Sequence, residues 1–350
     1  MKSSGMKKSA AAAITAVMAL ALAGCGGNNG NDANAVTVTN TVQESTNAPD
    51  NEDVQAADPS LKVVTSFYPL YFLAKEIGGE HAEVVNLVAA GVEPHDWTPK
   101  SRDLSEASSA QLLLYHGAGL EQWIETFQKG LSDDSGVAVQ EMSVGIPLLD
   151  GDEEGEAHEE HAHEEEEHSH EEEGHSHAID PHTWVSPKSA IILAENVKNS
   201  LVEADAAHKD DYEANFEALL GKLKKLDADY EAALSAVTQK NLVVSHQAFG
   251  YLARDYGLNQ VSIMGLSPEA EPKAQDLLKI AKFVEENGVR YIFFEELVSD
   301  QLARTLANEA DVETMVLNPL EGLTKEQEKA GETYLSLMER NLQNLIQALQ

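Results

Sequence analysis

From residue 61 onward, short apolar runs alternate with longer stretches of helical spacing. Leu61–Thr65, Val84–Ala89, Gln111–Tyr115, Leu242–Val244, Val261–Met264, Tyr291–Phe294 and Thr314–Leu317 each read as a strand closed by Gly, Pro or polar sequence. Short apolar strands between helices predict parallel sheets covered on both faces. Residues 208–238 contain one glycine and no proline, with Tyr212, Phe216, Leu219, Leu220, Leu223, Leu226, Tyr230 and Leu234 at three- and four-residue steps. That stripe predicts a single helix of roughly 45 Å, long enough to run the height of a two-lobed protein and to restrain hinge motion. The expected class is α/β: two lobes, each a mainly parallel sheet flanked by helices, joined by one long linker helix. The boundaries expected are 61–207 for the first lobe, 208–240 for the linker helix and 241–350 for the second lobe.

Two internal echoes support paired lobes. Shifted by 179 positions, Lys62–Gly78 overlays Asn241–Gly257, with Val64, Ser66, Leu73, Ala74 and Gly78 meeting Val243, Ser245, Leu252, Ala253 and Gly257. A shorter echo sets Glu93-Pro94-His95-x-Trp97 against Asp180-Pro181-His182-x-Trp184.

The first 60 residues break this pattern. A basic start (Lys2, Lys7, Lys8) precedes an apolar run over 9–23 of about the length of a signal-peptide core, short for a membrane span. The run ends in Leu22-Ala23-Gly24-Cys25, which resembles the lipobox of bacterial lipoproteins. By that resemblance 1–24 is a removed signal peptide and Cys25 carries the lipid anchor, which two or more acyl chains make stable. Residues 25–60 lack aromatic residues and periodicity, and read as a disordered tether. Extracytoplasmic work at the membrane is the expectation.

Charge then narrows the partners. The 350 residues carry 24 basic and 60 acidic side chains, a formal charge of −36. Nucleic acid and anionic lipid surfaces would be repelled, so cations are the natural ligands. A lone cysteine excludes an internal disulfide and a Cys-x-x-Cys pair. Thirteen acids and no base fall within 152–179, together with seven of the thirteen histidines: His158, His161, His163, His168, His170, His175 and His177. This stretch cannot pack a core, and its His-x-His pairs beside carboxylates make it a candidate accessory metal-gathering loop.

Three other histidines sit at strand ends or Pro-flanked turns, where open α/β sheets bind ligands. His95 follows the Val84–Ala89 run through a Gly91…Pro94 turn, His182 precedes Ser186-Pro187, an N-cap and first helical residue by type, and His246 directly follows Leu242–Ser245. Three imidazoles and a carboxylate suit tetrahedral zinc, whereas manganese prefers more oxygen donors. Spacing leaves Glu295, Glu296 and Glu321 open as the carboxylate.

Gly91-Val92-Glu93-Pro94-His95-Asp96, Asp180-Pro181-His182-x-Trp184, Ser245-His246-Gln247-Ala248-Phe249-Gly250-Tyr251 and Asn318-Pro319-Leu320-Glu321-Gly322-Leu323 resemble the metal-site signatures of the zinc-specific solute-binding proteins of ABC transporters, the cluster 9 or A-I group. The resemblance covers about 61–350. It implies two α/β lobes with Zn(II) as transported ligand between them, held by His95, His182, His246 and Glu321. It also implies a membrane permease as partner, a monomer and no enzymatic activity; manganese members of the group usually have an acid at the place of His246. One departure is Tyr115-His116-Gly117-Ala118-Gly119-Leu120-Glu121, with His116 where the family has Asn. Alternative readings are a zinc hydrolase or hydratase with three histidines and an open position, and an adhesin. The first lacks a His-Glu-x-x-His helix, a nucleophile elbow and a phosphate loop.

Overall fold

The computed structural model describes residues 60–131, 135–151, 178–268 and 272–350. The expected signal peptide, Cys25 and the tether through residue 59 lie outside the described residues, as do the seven histidines of the acidic stretch. No described helix is long and apolar enough to cross a membrane.

Two four-stranded parallel sheets form the frame. The first contains β1 (Leu61–Thr65), β2 (Ala82–Asn86), β3 (Leu112–Tyr115) and β4 (Ala138–Glu141) in the order β2-β1-β3-β4. A short antiparallel hairpin, β5 (Leu149–Gly151) and β6 (Ala178–Asp180), follows. The second sheet contains β7 (Asn241–Val244), β8 (Asn259–Ser262), β9 (Tyr291–Phe294) and β10 (Glu313–Val316) in the order β10-β9-β7-β8. Read from its other edge, that order is second, first, third, fourth strand, the same as in the first sheet. The 179-residue echo falls on the opening strand and helix of each: β1 with α1 (Tyr68–Gly78), and β7 with α6 (Gly250–Tyr256).

Helices α2 (Ser101–Ser108), α3 (Ile124–Gly130) and α4 (Pro187–Ala204) complete the first half. Ser186 caps α4 by accepting from Lys188 N, with Pro187 at the first helical position. The long helix α5 (Lys209–Ala236) has 28 residues, hence about 42 Å. In the second half lie α7 (Ala274–Glu286), α8 (Gln301–Glu309), α9 (Lys325–Ala330) and α10 (Tyr334–Leu349).

The pleat distributes the strands between cores. Val63, Leu112, Leu114, Leu242, Val244 and Phe293 face one continuous core with the α5 stripe, whereas Val64 and Leu113, and Val243 and Ile292, face two separate outer clusters. At 350 residues the chain is long enough for roughly two domains, each with its own core. Instead the inner faces of both sheets share one core, because α5 packs Leu219, Leu223, Leu226, Tyr230 and Leu234 into it.

Several strand boundaries differ from the sequence reading. The run at Val84–Ala89 begins its pairing at Ala82 and ends at Asn86, and those at 261 and 314 start two and one residues earlier. Each such strand is only partly buried and opens on a polar or small residue, so hydrophobicity lags behind backbone pairing. Strand β4 and the hairpin lack an apolar run and escape a hydrophobic reading altogether.

Candidate metal centre

Connections at the carboxyl ends of the strands bring four side chains together. His246 leaves the end of β7 through Ser245, and Glu321 comes from the loop after β10. His95 comes from the loop after β2, where Gly91 turns with a φ of 81°. Gly91 N donates to Leu323 O at 2.7 Å, tying the His95 loop to the Glu321 loop. His182 follows the hairpin strand β6.

His95 Nε2 lies 3.1 Å from His182 Nε2 and 3.3 Å from Glu321 Oε1. His246 Nε2 is 3.3 Å from His182 Nε2 and 3.4 Å from Glu321 Oε1, and His182 Nε2 is 3.2 Å from the same oxygen. A tetrahedron built on metal–ligand bonds of 2.0–2.1 Å has edges of about 3.3–3.4 Å. The donor atoms are therefore spaced for one small four-coordinate ion, and all lie within 4.8 Å of one another. Among the described residues this is the one group of three or more His, Cys, Asp or Glu that converges in this way. Glu321 Oε2 is buried with no hydrogen-bond partner. Such an orphan is costly unless a cation compensates it.

Carboxylates behind the rings orient them. His182 Nδ1 is 2.8 Å from Asp180 Oδ1, and His246 Nδ1 is 2.6 Å from Glu295 Oε1. With each Nδ1 proton donated backward, the Nε2 lone pair faces the centre. Burial alone would lower the His182 and His246 pKa values. The partner carboxylates and Glu321 outweigh it, raising His182 and holding His246 well above the ordinary imidazole value. Burial likewise opposes ionisation of Glu321, but the three imidazoles hold it well below the ordinary carboxylate range.

The short echo has a structural meaning. Glu93 Oε1 accepts from His95 N at 3.0 Å, and Asp180 Oδ1 accepts from His182 N at 2.9 Å. Each acid-Pro-His triplet thus closes the same local turn, with the acid bonding the backbone two residues on. Burial and the Glu321 charge push the Glu93 carboxyl up to about 9.

Of the three carboxylates that spacing left open, Glu321 alone joins the donor set. Glu295 directly follows β9, the neighbour of β7, and instead supports His246 and accepts from Ser245 Oγ. Glu296 accepts from Asn318 Nδ2 and Gln327 Nε2, bracing the loop that carries Glu321. His116 is fully buried and outside the donor set; its Nε2 donates to Pro181 O at 2.8 Å, and burial lowers its pKa to about 3. The supporting roles of Asp180 and Glu295 were not read from the sequence. The acid two residues before His182, and an acid ending a strand beside β7, were the available signals.

The family described as the periplasmic component A of zinc-uptake complexes, ZnuA, matches residues 63–348. The chain belongs to the ZnuA family. This ZnuA-family chain is 42% identical over 289 residues to the zinc-binding protein AdcA of Streptococcus pyogenes, covering 83% of this chain and 56% of that relative. It therefore spans about half the length of the AdcA proteins it matches. It is 40% identical over 289 residues to the high-affinity zinc uptake system protein ZnuA of Bacillus subtilis, covering 83% and 88% of the two chains. The solved Zn(II)-bound ZnuA-like domain of Streptococcus pneumoniae AdcA superposes with a TM-score of 0.68 at 39% identity, covering 83% of this chain and 99% of that one. The family is one of zinc-binding transport components rather than enzymes.

Proposed function

We propose that this protein captures one Zn²⁺ outside the cytoplasm at His95, His182, His246 and Glu321 and delivers it to the membrane permease of an ABC transporter for import. Supporting this reading above all is the convergence of three Nε2 atoms and one carboxylate oxygen at tetrahedral spacing. Zinc is cargo here, not a resident cofactor. Four protein ligands close its coordination sphere, which suits tight capture and leaves no position for an activated water. The same closure argues against the hydrolase reading, in which Glu321 would have to act as a base beside an open site.

The wider arrangement in this reading is a signal peptide over 1–24, a lipid on Cys25, a tether to residue 60 and two metal-binding lobes joined by a helix over 208–240. The protein acts as a monomer held at the cell membrane. The histidines between 158 and 177 gather zinc and pass it to the four-ligand site.

Metal content and hydrolytic activity of wild type and Glu321→Ala test the capture reading. One tightly held zinc in wild type, weakened in the variant, with no turnover in either, is the expected result. Turnover by wild type, lost in a variant that keeps its metal, contradicts it. Deleting 152–177 tests the loop: fewer zinc equivalents are expected, and unchanged stoichiometry and affinity remove the loop from the account.

A further inference from the structure

Tyr251 is fully buried in α6, five residues after His246. Its phenol oxygen accepts from Leu149 N at 3.0 Å and donates to Asp180 O at 2.7 Å. Leu149 and Asp180 face each other at the end of the β5–β6 hairpin. The hydroxyl therefore bridges an N–H and a C=O that face each other across the ladder. Burial pushes the phenol up to about 12, so it keeps the proton that it donates.

Asp180 also carries the carboxylate that holds both Nδ1 and the backbone N–H of His182. A short chain of bonds thus runs from the Tyr251 hydroxyl through one aspartate to a metal-facing imidazole. Its surroundings are tightly fitted. A Cβ at Gly250 would lie 2.6 Å from Asp180 Oδ2, and Arg254 donates to Pro147 O at 2.8 Å while lying 5.0 Å from the Tyr251 ring centroid. On the next residue, His116 donates to Pro181 O. The two carbonyls preceding His182 are consequently held from opposite halves of the molecule, by Tyr251 and by His116.

We propose that Tyr251 is a positioning residue for metal capture: its hydroxyl fixes Asp180 so that His182 stands at ligand distance from the other three donors before the metal arrives. This rests on the zinc-capture reading. Removing the hydroxyl leaves the aromatic ring in the core but unbridges Leu149 N and Asp180 O, and the Asp180–His182 unit loses its tie to α6.

The test compares the full-length wild type with Tyr251→Phe, Tyr256→Phe and His182→Ala. Tyr256 is the control, a buried tyrosine on the same helix whose hydroxyl donates to Asp227 at 2.8 Å. Zn(II) affinity is read by competition with a chromophoric chelator, the Co(II)-loaded site by its visible d–d bands, and fold by thermal unfolding of the metal-free proteins. Tyr251→Phe is expected to bind one zinc about tenfold more weakly, in the range found for partners that orient metal ligands, with altered Co(II) bands. Tyr256→Phe keeps wild-type affinity and bands even where it unfolds at a lower temperature. If Tyr251→Phe does not fold, Gly250→Ala crowds Asp180 from the same helix and carries the same expected weakening. Wild-type affinity and bands in Tyr251→Phe, beside a weakened His182→Ala, overturn this inference alone. A wild type that binds no zinc, or His182→Ala as tight as wild type, overturns the capture reading and this inference with it.

Discussion

The two sheets share a strand order but hold their histidines to different degrees. After the second sheet, His246 is fully buried, with Glu295 from the adjacent strand end behind its ring. After the first, His95 sits in a longer loop, keeps 12% of its side chain exposed and is fixed chiefly through its backbone N–H to Glu93 and the Gly91–Leu323 tie. His182 resembles His246, with its ring backed by Asp180. The centre therefore has an anchored floor of His182, His246 and Glu321, and His95 at its mouth. A site built this way can take a metal on the floor first and close with the exposed ligand. His95 already stands at ligand spacing from this floor, and α5 and the shared core join the halves.

Removing a floor ligand gives the largest effect. His246→Ala should weaken zinc by roughly 100-fold or more, since structural zinc sites gain on the order of 10–16 kcal/mol from four ligands. Chelator competition measures this. His95→Ala should weaken it less than His246→Ala and chiefly speed dissociation, which stopped-flow transfer to a chelator reads. Equal losses and equal dissociation rates for the two variants would erase the distinction between floor and mouth.

Next comes support behind the ring. Glu295→Gln keeps a hydrogen-bonding shape but removes the charge behind His246, and should cost about tenfold in zinc affinity. An unchanged affinity would show that the His246 ring is fixed by packing alone.

Acidity probes the same floor. Protons and zinc compete for the Nε2 lone pairs, and the metal-free pKa values of His182 and His246 are raised. Zinc affinity should therefore already fall as pH drops below those raised values and continue falling through the ordinary imidazole range near 6.5. Glu321, held low, stays ionised across that window, and His116, at about 3, stays neutral and adds nothing. For the metal-free fold the sign is opposite. The raised histidines contribute stability that is present below their unfolded pKa and lost as pH rises through the folded values. His116, lowered by burial, opposes them by costing stability as pH falls below the unfolded imidazole value. Titrating affinity from pH 5 to 8, beside metal-free unfolding midpoints, checks both signs.

The smallest effect lies in the helix between the halves. Gly221 is exposed within α5 and nothing approaches a Cβ placed there. Gly221→Ala should stabilise the protein by about 1 kcal/mol, seen as a rise of about 2 °C in the unfolding midpoint, with zinc affinity unchanged. A change in affinity would mean that stiffness of α5 reaches the site.

Much of this was legible in residue order because the relevant signals are local. The α5 stripe, the strand-helix alternation and the 179-residue echo are periodicities, and His95, His182 and His246 stand directly beside strand ends or Pro turns. Less legible was anything that depends on which strands become neighbours. Glu295 supports His246 only because β9 lies beside β7, and spacing alone left it level with Glu296 and Glu321. Tyr251 closes the Ser245–Tyr251 stretch of the family resemblance, but what its hydroxyl bonds is hidden until the hairpin is laid against it. The shared core was hidden for the same reason, since a heptad-like stripe does not reveal how many partners it faces.

The most direct measurement is diffraction on the zinc-loaded protein with anomalous data on both sides of the zinc absorption edge. The account predicts one strong peak bonded to His95 Nε2, His182 Nε2, His246 Nε2 and a Glu321 oxygen, with bonds of about 2.0–2.2 Å. A peak lying elsewhere, or one coordinated by water where Glu321 should stand, would contradict it.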